Sequence, residues 1–346
     1  MISSPYDNKG IKMLKKLALV VLLTAVSISS SFAADKINGA GASFPAPLYY
    51  DWAFFYKKNT RNRVNYQSIG SGGGIKQIIR RVVDFGASDK PLDSKKLTKA
   101  KLFQFPAVIG SIVIAFNVEG IADETLKLTN ENVADIFAGK ITKWNSPAIA
   151  ANNKGVNLPN QKIIVVHRSD GSGTTYNFTY YLSGSSKSWK KNFGVGKTVD
   201  WSVGIGGKGN EGVANLVKQT PYSIGYIEAA YKKKNKLSAA VLKTASGKWV
   251  KATEANFKAA AKHASWSKEN HFNAMLALQE GDDSYPIVAA TFILLPKEKL
   301  SMNKKVIAFY DYAFNNGDKS AKKLGYIPLP EETKKIVREY WKDTVR

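Results

Sequence analysis

Three glycine- and serine-rich turns stand before helix-like segments and could bind an anion through their backbone amides. They cover residues 39–44 (GAGASF), 70–74 (GSGGG) and 168–174 (RSDGSGT). The first turn of a helix leaves N–H donors unpaired and carries a partial positive charge, while glycine allows close approach and serine or threonine adds a hydroxyl. One such turn is an ordinary helix cap. Three in one chain, with Arg168 leading the third, predict an oxyanion site.

The residue types needed for covalent or metal chemistry are scarce. The chain has no cysteine, which excludes disulfides, thiolate metal sites and a cysteine nucleophile, and its three histidines are scattered. His167, beside the third turn, is interpreted as a packed residue rather than a base. No Walker A pattern occurs, and neither Ser71 nor Ser172 lies in a G-x-S-x-G elbow. A fourth turn, residues 204–209 (GIGGKG), is interpreted as structural because no convincing βαβ unit surrounds it. We therefore predict no catalytic residues, no metal site and no cofactor.

The most extreme compositional feature is basic charge. The 346 residues include 51 Lys and Arg against 27 Asp and Glu, a net charge of +24, which indicates an anionic partner. Four lysines precede an apolar stretch at 17–28 that is too short to span a membrane, and small residues follow it. We predict a signal peptide at residues 1–33, with Met13 as an alternative start. The mature chain, with a net charge of +21, has no cysteine for a lipid anchor and is expected in the periplasm.

Strand-like and helix-like segments alternate along the chain, which predicts an α/β protein with mainly parallel sheets flanked by helices. Strands are expected at residues 64–69, 84–89, 108–117, 163–166, 223–228 and 291–295, and helices at residues 45–58, 75–83, 130–138 and 174–182. The longest apolar run, 107–116, fits a buried strand. Ligands of such sheets bind where the carboxyl ends of strands lead into helices, and the glycine-rich turns lie at such places.

These turns, together with strings elsewhere in the chain, resemble the periplasmic phosphate-binding protein of the Pst-type ABC importer. The matching strings cover residues 39–47, 64–73, 84–89, 103–106, 139–145, 168–174, 206–210, 225–226 and 291–294, in order along essentially the whole mature chain. The resemblance implies a two-lobed type II periplasmic-binding-protein fold with the ligand in the interlobe cleft. It places lobe one at residues 35–107 plus 286–346 and lobe two at residues 108–285.

The resemblance also implies a ligand set for inorganic phosphate. The set comprises Ser43, the Phe44 amide, Ser71, Asp89, Arg168, Ser172, Gly173 and Thr174. Ser43 replaces the threonine common at its position and keeps the hydroxyl. Arg168 would pair with phosphate oxygens in a bidentate fork. Asp89 would accept a hydrogen bond from the proton that phosphate carries near neutral pH and that sulfate lacks. On the residues alone, Asp89 could equally cap the next turn.

The implied role is a monomeric transport receptor, not an enzyme, that delivers phosphate to a membrane ABC permease. Two alternatives stay open. A secreted phosphate-ester hydrolase would need a metal cluster or an activated nucleophile. A binder of acidic surfaces or nucleic acid is suggested by the charge alone. Because basic charge is non-specific and no nucleic-acid-binding motif is evident, we predict no specific nucleic-acid partner.

Overall fold

Strands and helices alternate along residues 35–345, the part of the chain that the computed structural model describes. The strands are β1 (Lys36–Gly41), β2 (Arg63–Ser68), β3 (Phe85–Ser88), β4 (Leu102–Asn117), β5 (Ile164–Arg168), β6 (Ile205–Gly207), β7 (Ser223–Glu228), β8 (Ser238–Ala239), β9 (Leu242–Lys243), β10 (Trp249–Val250) and β11 (Val288–Pro296). The helices are α1 (Ala46–Thr60), α2 (Gly70–Ile79), α3 (Ser94–Ala100), α4 (Asn130–Phe137), α5 (Pro147–Ala150), α6 (Gly173–Ser185), α7 (Lys187–Asn192), α8 (Gly209–Gln219), α9 (Ala229–Asn235), α10 (Glu254–Ala261), α11 (Leu300–Asn316), α12 (Asp318–Leu324) and α13 (Glu331–Thr344). The predicted signal peptide at 1–33 and the alternative start at Met13 lie outside these residues. No helix in the described part of the chain combines the length and apolar character needed to cross a membrane.

Within residues 35–345 one sheet of nine strands has the order β2-β1-β3-β11-β4-β7-β5-β6, with β8 paired to β4. β1 is parallel to β2 and β3, and β5 is parallel to β6 and β7. β4 and β11 run antiparallel to each other and to their other neighbours. The predicted parallel pairing therefore holds at the two flanks of the sheet but not at its centre. There β11 returns from a distant part of the chain and enters between β3 and β4 in the opposite direction.

The longest strand, β4, joins the two flanks. Its residues 102–111 pair with β11 and its residues 112–117 pair with β7. It is buried along nearly its whole length, which explains its almost unbroken apolar sequence. The strand begins six residues before the predicted start at 108. The division into lobes at 35–107 plus 286–346 and 108–285 stays a prediction.

The glycine-rich turns occupy different places from those expected. Both glycines of the 39–44 turn already belong to β1, and Gly70 begins α2, so the second turn is itself the first turn of the helix. Gly74 lies inside α2 because the helix packs directly on the backbone of β1. A Cβ atom at Gly74 would lie 2.5 Å from the Cα atom of Gly41. Glycine occupies this helical position despite its poor helix propensity, because the backbones of α2 and β1 approach too closely for a side chain.

Candidate functional site

The predicted site residues form one buried cluster where β1, β3 and β5 end and where α1, α2 and α6 begin. Their relative exposures do not exceed 3% for Ser43, Phe44, Ser71, Asp89, Arg168, Ser172 and Thr174. Gly173, the first residue of α6, is buried with them. The structure thus brings together residues spread over 132 positions of the sequence. Their contact with a ligand stays a prediction.

Ser71 is held by two backbone amides. Its Oγ accepts hydrogen bonds from the backbone N of Asp89 and of Gly173, each at 3.1 Å, and its O–H donates to Oδ2 of Asp89 at 3.4 Å. A hydroxyl oxygen has two acceptor positions, and both are taken, so the O–H proton is left to donate. A Cβ atom at Gly173 would lie 2.4 Å from the Ser71 Oγ. Only glycine fits this junction between α2 and α6.

Ser43 and Thr174 are joined by Asn210 at the start of α8. Ser43 Oγ accepts from the backbone N and from Nδ2 of Asn210, both at 2.9 Å. Thr174 Oγ1 accepts from the same Nδ2 at 3.0 Å and from Nη1 of Arg168 at 3.3 Å. Both hydroxyl oxygens therefore receive two N–H donors, and each keeps its own proton as a donor.

Arg168 is a buried cation that Asp170 holds in a bidentate ion pair. Its Nε and Nη2 donate to the two oxygens of Asp170 at 2.8 and 2.6 Å, and the arginine side chain is 1% exposed. Burial opposes ionisation of Asp170, but the hydrogen bonds and charge of Arg168 outweigh it and hold the pKa of that carboxyl below its usual value. With a further N–H on Thr174, three of the five guanidinium donors are used. One N–H on each of Nη1 and Nη2 is left, which is a fork suited to an oxyanion.

Asp89 is a buried carboxyl that titrates near neutral pH. Burial raises its pKa from 3.8 to about 7, against the lowering effects of the Thr291 hydrogen bond and the Arg168 charge. Thr291 Oγ1 donates to Oδ1 of Asp89 at 2.6 Å. The carboxyl does not cap the following turn. Asp93 caps the next helix, α3, instead.

Phe44 and Ser172 have structural roles at helix starts as well as their predicted ones. The Phe44 ring packs edge-on against Tyr326, at 6.4 Å between centroids, in the core. Ser172 is the N-cap of α6, and its Oγ accepts from the Thr175 backbone N at 2.9 Å. Accepting that bond leaves the Ser172 proton as a donor.

Sequence reasoning did not single out Asp170, Asn210 or Thr291 as parts of the site. Asn210 follows the 204–209 turn that was interpreted as structural and outside any βαβ unit. Here β6, α8 and β7 do form such a unit, since both strands are parallel to β5. The strand lies inside the G-x-G-x-x-G string rather than before it, unlike a dinucleotide-binding turn. The signal that could have found Asn210 is the one used for the other turns, a glycine run that opens a helix.

Four lysines stand close together beside the buried cluster. They are Lys76 on α2, Lys90 after β3, Lys96 on α3 and Lys197 in the loop before β6. The Lys90 Nζ lies 4.5 Å from the ring centroid of Tyr176 on α6. Burial lowers the pKa of Lys197, and the charges of the three other lysines lower it further. Like charges gathered here produce a positive potential beside the site.

The hydrolase alternative would need a catalytic base or a metal cluster at the oxyanion site. The His167 ring stacks on Trp201, with centroids 4.9 Å apart, as expected of a packed residue. Burial lowers the pKa of His167. Among residues 35–345, no three His, Cys, Asp or Glu side chains gather in an arrangement that could hold a metal ion.

Comparison with known proteins identifies the family to which this chain belongs. A family model described as the PBP superfamily domain matches residues 27–316. Two similar curated proteins are each named phosphate-binding protein PstS. That of Pasteurella multocida is 49% identical over 334 residues, which are 96% of either chain. That of Haemophilus influenzae is 50% identical over 315 residues, which are 90% of this chain and 94% of the relative.

Solved structures share the fold. A high-affinity periplasmic phosphate-binding protein bound with phosphate matches with a TM-score of 0.72 at 23% identity, over 88% of this chain and 93% of the other. The phosphate-binding protein of Stenotrophomonas maltophilia matches with a TM-score of 0.66 at 22% identity, over 88% and 94% of the two chains. At these identities the likeness is one of fold, and it confirms the predicted α/β fold class.

Proposed function

This chain belongs to the PstS phosphate-binding proteins of the PBP superfamily, and on that premise we propose that it binds inorganic phosphate and delivers it to an ABC-type membrane permease. Phosphate is bound and released unchanged, so the role is binding rather than catalysis. The ligand set is the predicted one, from Ser43 to Thr174, with Arg168 as its cation.

The observation that supports this proposal is a buried set of groups that can only donate, with the Asp89 carboxyl beside them. Ser43 and Thr174 each keep one proton and Arg168 keeps two N–H groups, while the Ser71 hydroxyl donates to Oδ2 of Asp89 at 3.4 Å, a long bond that an anion can replace. A tetrahedral oxyanion supplies the acceptors that these donors need. Asp89 requires the reverse, an O–H from the ligand, when it is ionised. Phosphate near neutral pH offers both, whereas sulfate would leave the carboxylate against acceptor oxygens.

Phosphate access requires the two flanks of the sheet to separate. The site is closed by contacts between α2 and the segment before α6, where the Gly72 N donates to the Gly171 O at 2.7 Å. The bonds of Ser71 with Gly173 and of Ser43 with Asn210 close it further. Breaking these bonds and bending β4 between its two pairing regions would open the site by a hinge motion.

We also propose that the protein acts as a monomer in the periplasm, after removal of residues 1–33 and without a lipid anchor. The basic start, the short apolar stretch and the lack of cysteine support this proposal. Mass spectrometry of the protein from a periplasmic extract tests it. An intact N-terminal segment or an attached lipid would contradict it.

Calorimetry tests the ligand. The mature protein is first freed of bound phosphate by partial unfolding and dialysis, and is then titrated with phosphate and with sulfate. We expect saturable one-to-one phosphate binding that is at least about tenfold tighter than sulfate binding at about pH 8, because most of Asp89 is ionised there and must take up a proton before sulfate can bind. Equal affinities, or no heat with phosphate, would overturn the proposal.

A further inference from the structure

We propose that Asn210 is a positioning residue of the phosphate site, which holds the hydroxyls of Ser43 and Thr174 so that both can only donate to the bound anion. The inference rests on the proposed function and deepens it. Asn210 is outside the predicted ligand set and acts through the two hydroxyls rather than as a ligand.

The backbone N and both polar side-chain atoms of Asn210 are engaged. Its backbone N and its Nδ2 both donate to the Ser43 Oγ at 2.9 Å, and the second proton of Nδ2 goes to the Thr174 Oγ1 at 3.0 Å. Its Oδ1 accepts from the backbone N of Glu228 at 2.9 Å. A backbone N–H can only donate, so the carbonyl side of the amide must face β7 and the NH₂ side must face the hydroxyls. The orientation of this amide is therefore determined by the main chain.

This orientation matters because a hydroxyl is both a donor and an acceptor. Left free, the hydroxyls of Ser43 and Thr174 could rotate and offer a lone pair, rather than the proton, to the anion. An N–H placed on each lone pair removes that choice. The site is then ordered before the anion arrives, and less entropy is lost on binding.

Burial and the packing of α8 hold Asn210 in place. It is fully buried and is the second residue of α8, which packs against β7 and β5. The hydroxyl of Ser43 follows β1, and the hydroxyl of Thr174 lies in the first turn of α6, so one amide connects two separate parts of the site. The pair Asn210 and Ser43 is 167 residues apart in sequence.

A double-mutant cycle tests the proposal, with inorganic phosphate as the probe and calorimetry as the measurement. Asn210→Ala should weaken phosphate binding roughly 10- to 100-fold in the wild-type background. In the background Ser43→Ala with Thr174→Val, where the hydroxyls are gone, the same change should cost less than about threefold. An equal loss in both backgrounds would mean that Asn210 acts independently of the hydroxyls and would overturn the inference.

Asn210→Asp gives a second readout that keeps the shape of the side chain. It replaces the NH₂ donor by an acceptor, which draws the hydroxyl protons away from the anion, so phosphate affinity should fall further than in Asn210→Ala. The added negative charge also repels the anion directly, and that effect persists in the background Ser43→Ala with Thr174→Val. Positioning through the hydroxyls predicts a larger loss in the wild-type background than in that one, and equal losses would contradict it. Thermal unfolding of each ligand-free variant shows whether it is folded. Phosphate affinities are compared among the folded variants.

Asn153 offers a matched control. It is 5% exposed, and its side chain donates to the backbone O of Lys127 and of Ile149 and accepts from the Lys127 N, all at 2.8 Å. Asn153→Ala should lower stability but change phosphate affinity by no more than about twofold.

If wild type itself fails to bind phosphate, the proposed function fails. If wild type binds and Asn210→Ala binds as well, only this inference fails.

Discussion

Sulfate binding should strengthen as the pH falls through about 7, because Asp89 then becomes a hydrogen-bond donor. Burial is the main reason that its pKa lies at about 7 instead of 3.8. At about pH 8 roughly a tenth of the protein carries the protonated acid, and at about pH 5 nearly all of it does. Since sulfate offers only acceptors, only the protonated form pairs with it. The sulfate dissociation constant should therefore fall about tenfold between those two pH values.

Calorimetry with ligand-free protein at constant ionic strength measures this change. Sulfate is the suitable ligand because it keeps the same charge throughout this range, whereas phosphate titrates within it. Asp89→Asn should bind sulfate with no pH dependence, since the amide donates at every pH, and should lose phosphate affinity about 10- to 100-fold. Asp93→Asn, a change at an exposed helix cap, should keep the wild-type profile. A sulfate affinity that does not vary in wild type, or one that varies equally in Asp89→Asn, would refute the reasoning.

The same carboxyl should make the ligand-free protein less stable as the pH rises. The folded pKa of Asp89 lies above its unfolded value, so its contribution to stability is complete below about pH 4 and is lost as the pH rises to about 7. About three pKa units correspond to roughly 4 kcal/mol. Urea unfolding should show wild type losing up to about that much relative to Asp89→Asn between about pH 4 and pH 8. Parallel stability curves for the two proteins would contradict this expectation.

Three further changes probe other parts of the site. Arg168→Ala removes two charge-assisted N–H donors of about 1.5 to 3 kcal/mol each, so calorimetry should show phosphate binding weakened at least about 100-fold. Gly173→Ala places a Cβ atom 2.4 Å from the Ser71 Oγ, so α2 and α6 must move apart and phosphate affinity should fall at least about tenfold. Lys76→Ala with Lys197→Ala lowers the positive potential beside the site, so stopped-flow association with phosphate should slow severalfold at low salt and match wild type at about 1 M salt.

Each of these changes has a control and a contradicting result. An Arg168→Ala affinity within about tenfold of wild type would show that the buried cluster is not the phosphate site. Gly212→Ala, on α8, adds a Cβ atom no closer than 3.2 Å to its neighbours outside the helix and should bind normally. The control for the lysine pair is Lys162→Ala with Lys218→Ala, which removes the same charge. Lys162 lies just before the start of β5 and Lys218 near the end of α8, whereas the site lies at the end of β5 and the start of α8. If both lysine pairs slow association equally, net charge alone is the cause.

Residue types and local spacing were enough to predict much of the architecture. The α/β class, the strand at 223–228 and the helix near 45–58 are confirmed by the fold, since each depends on hydrophobic periodicity and turn residues within one segment. The start of α2 at Gly70 was missed, because a glycine run reads as a turn until a neighbouring backbone packs against it. The antiparallel centre of the sheet was missed as well, because strand direction depends on where a distant segment returns.

For the site, the glycine- and serine-rich turns and Arg168 predicted an oxyanion site from local motifs, and the family resemblance implied which hydroxyls and amides would be its donors. Tertiary structure decided which way those donors point and which groups are charged. Asn210 reaches Ser43 across 167 residues, and Thr291 reaches Asp89 across 202. Burial, which no motif encodes, raises the pKa of Asp89 to about 7. The direction of a hydrogen bond and the protonation state of a group depend on which polar groups surround each atom and on how far solvent is excluded from it. Both conditions are set only when remote segments of the chain pack together.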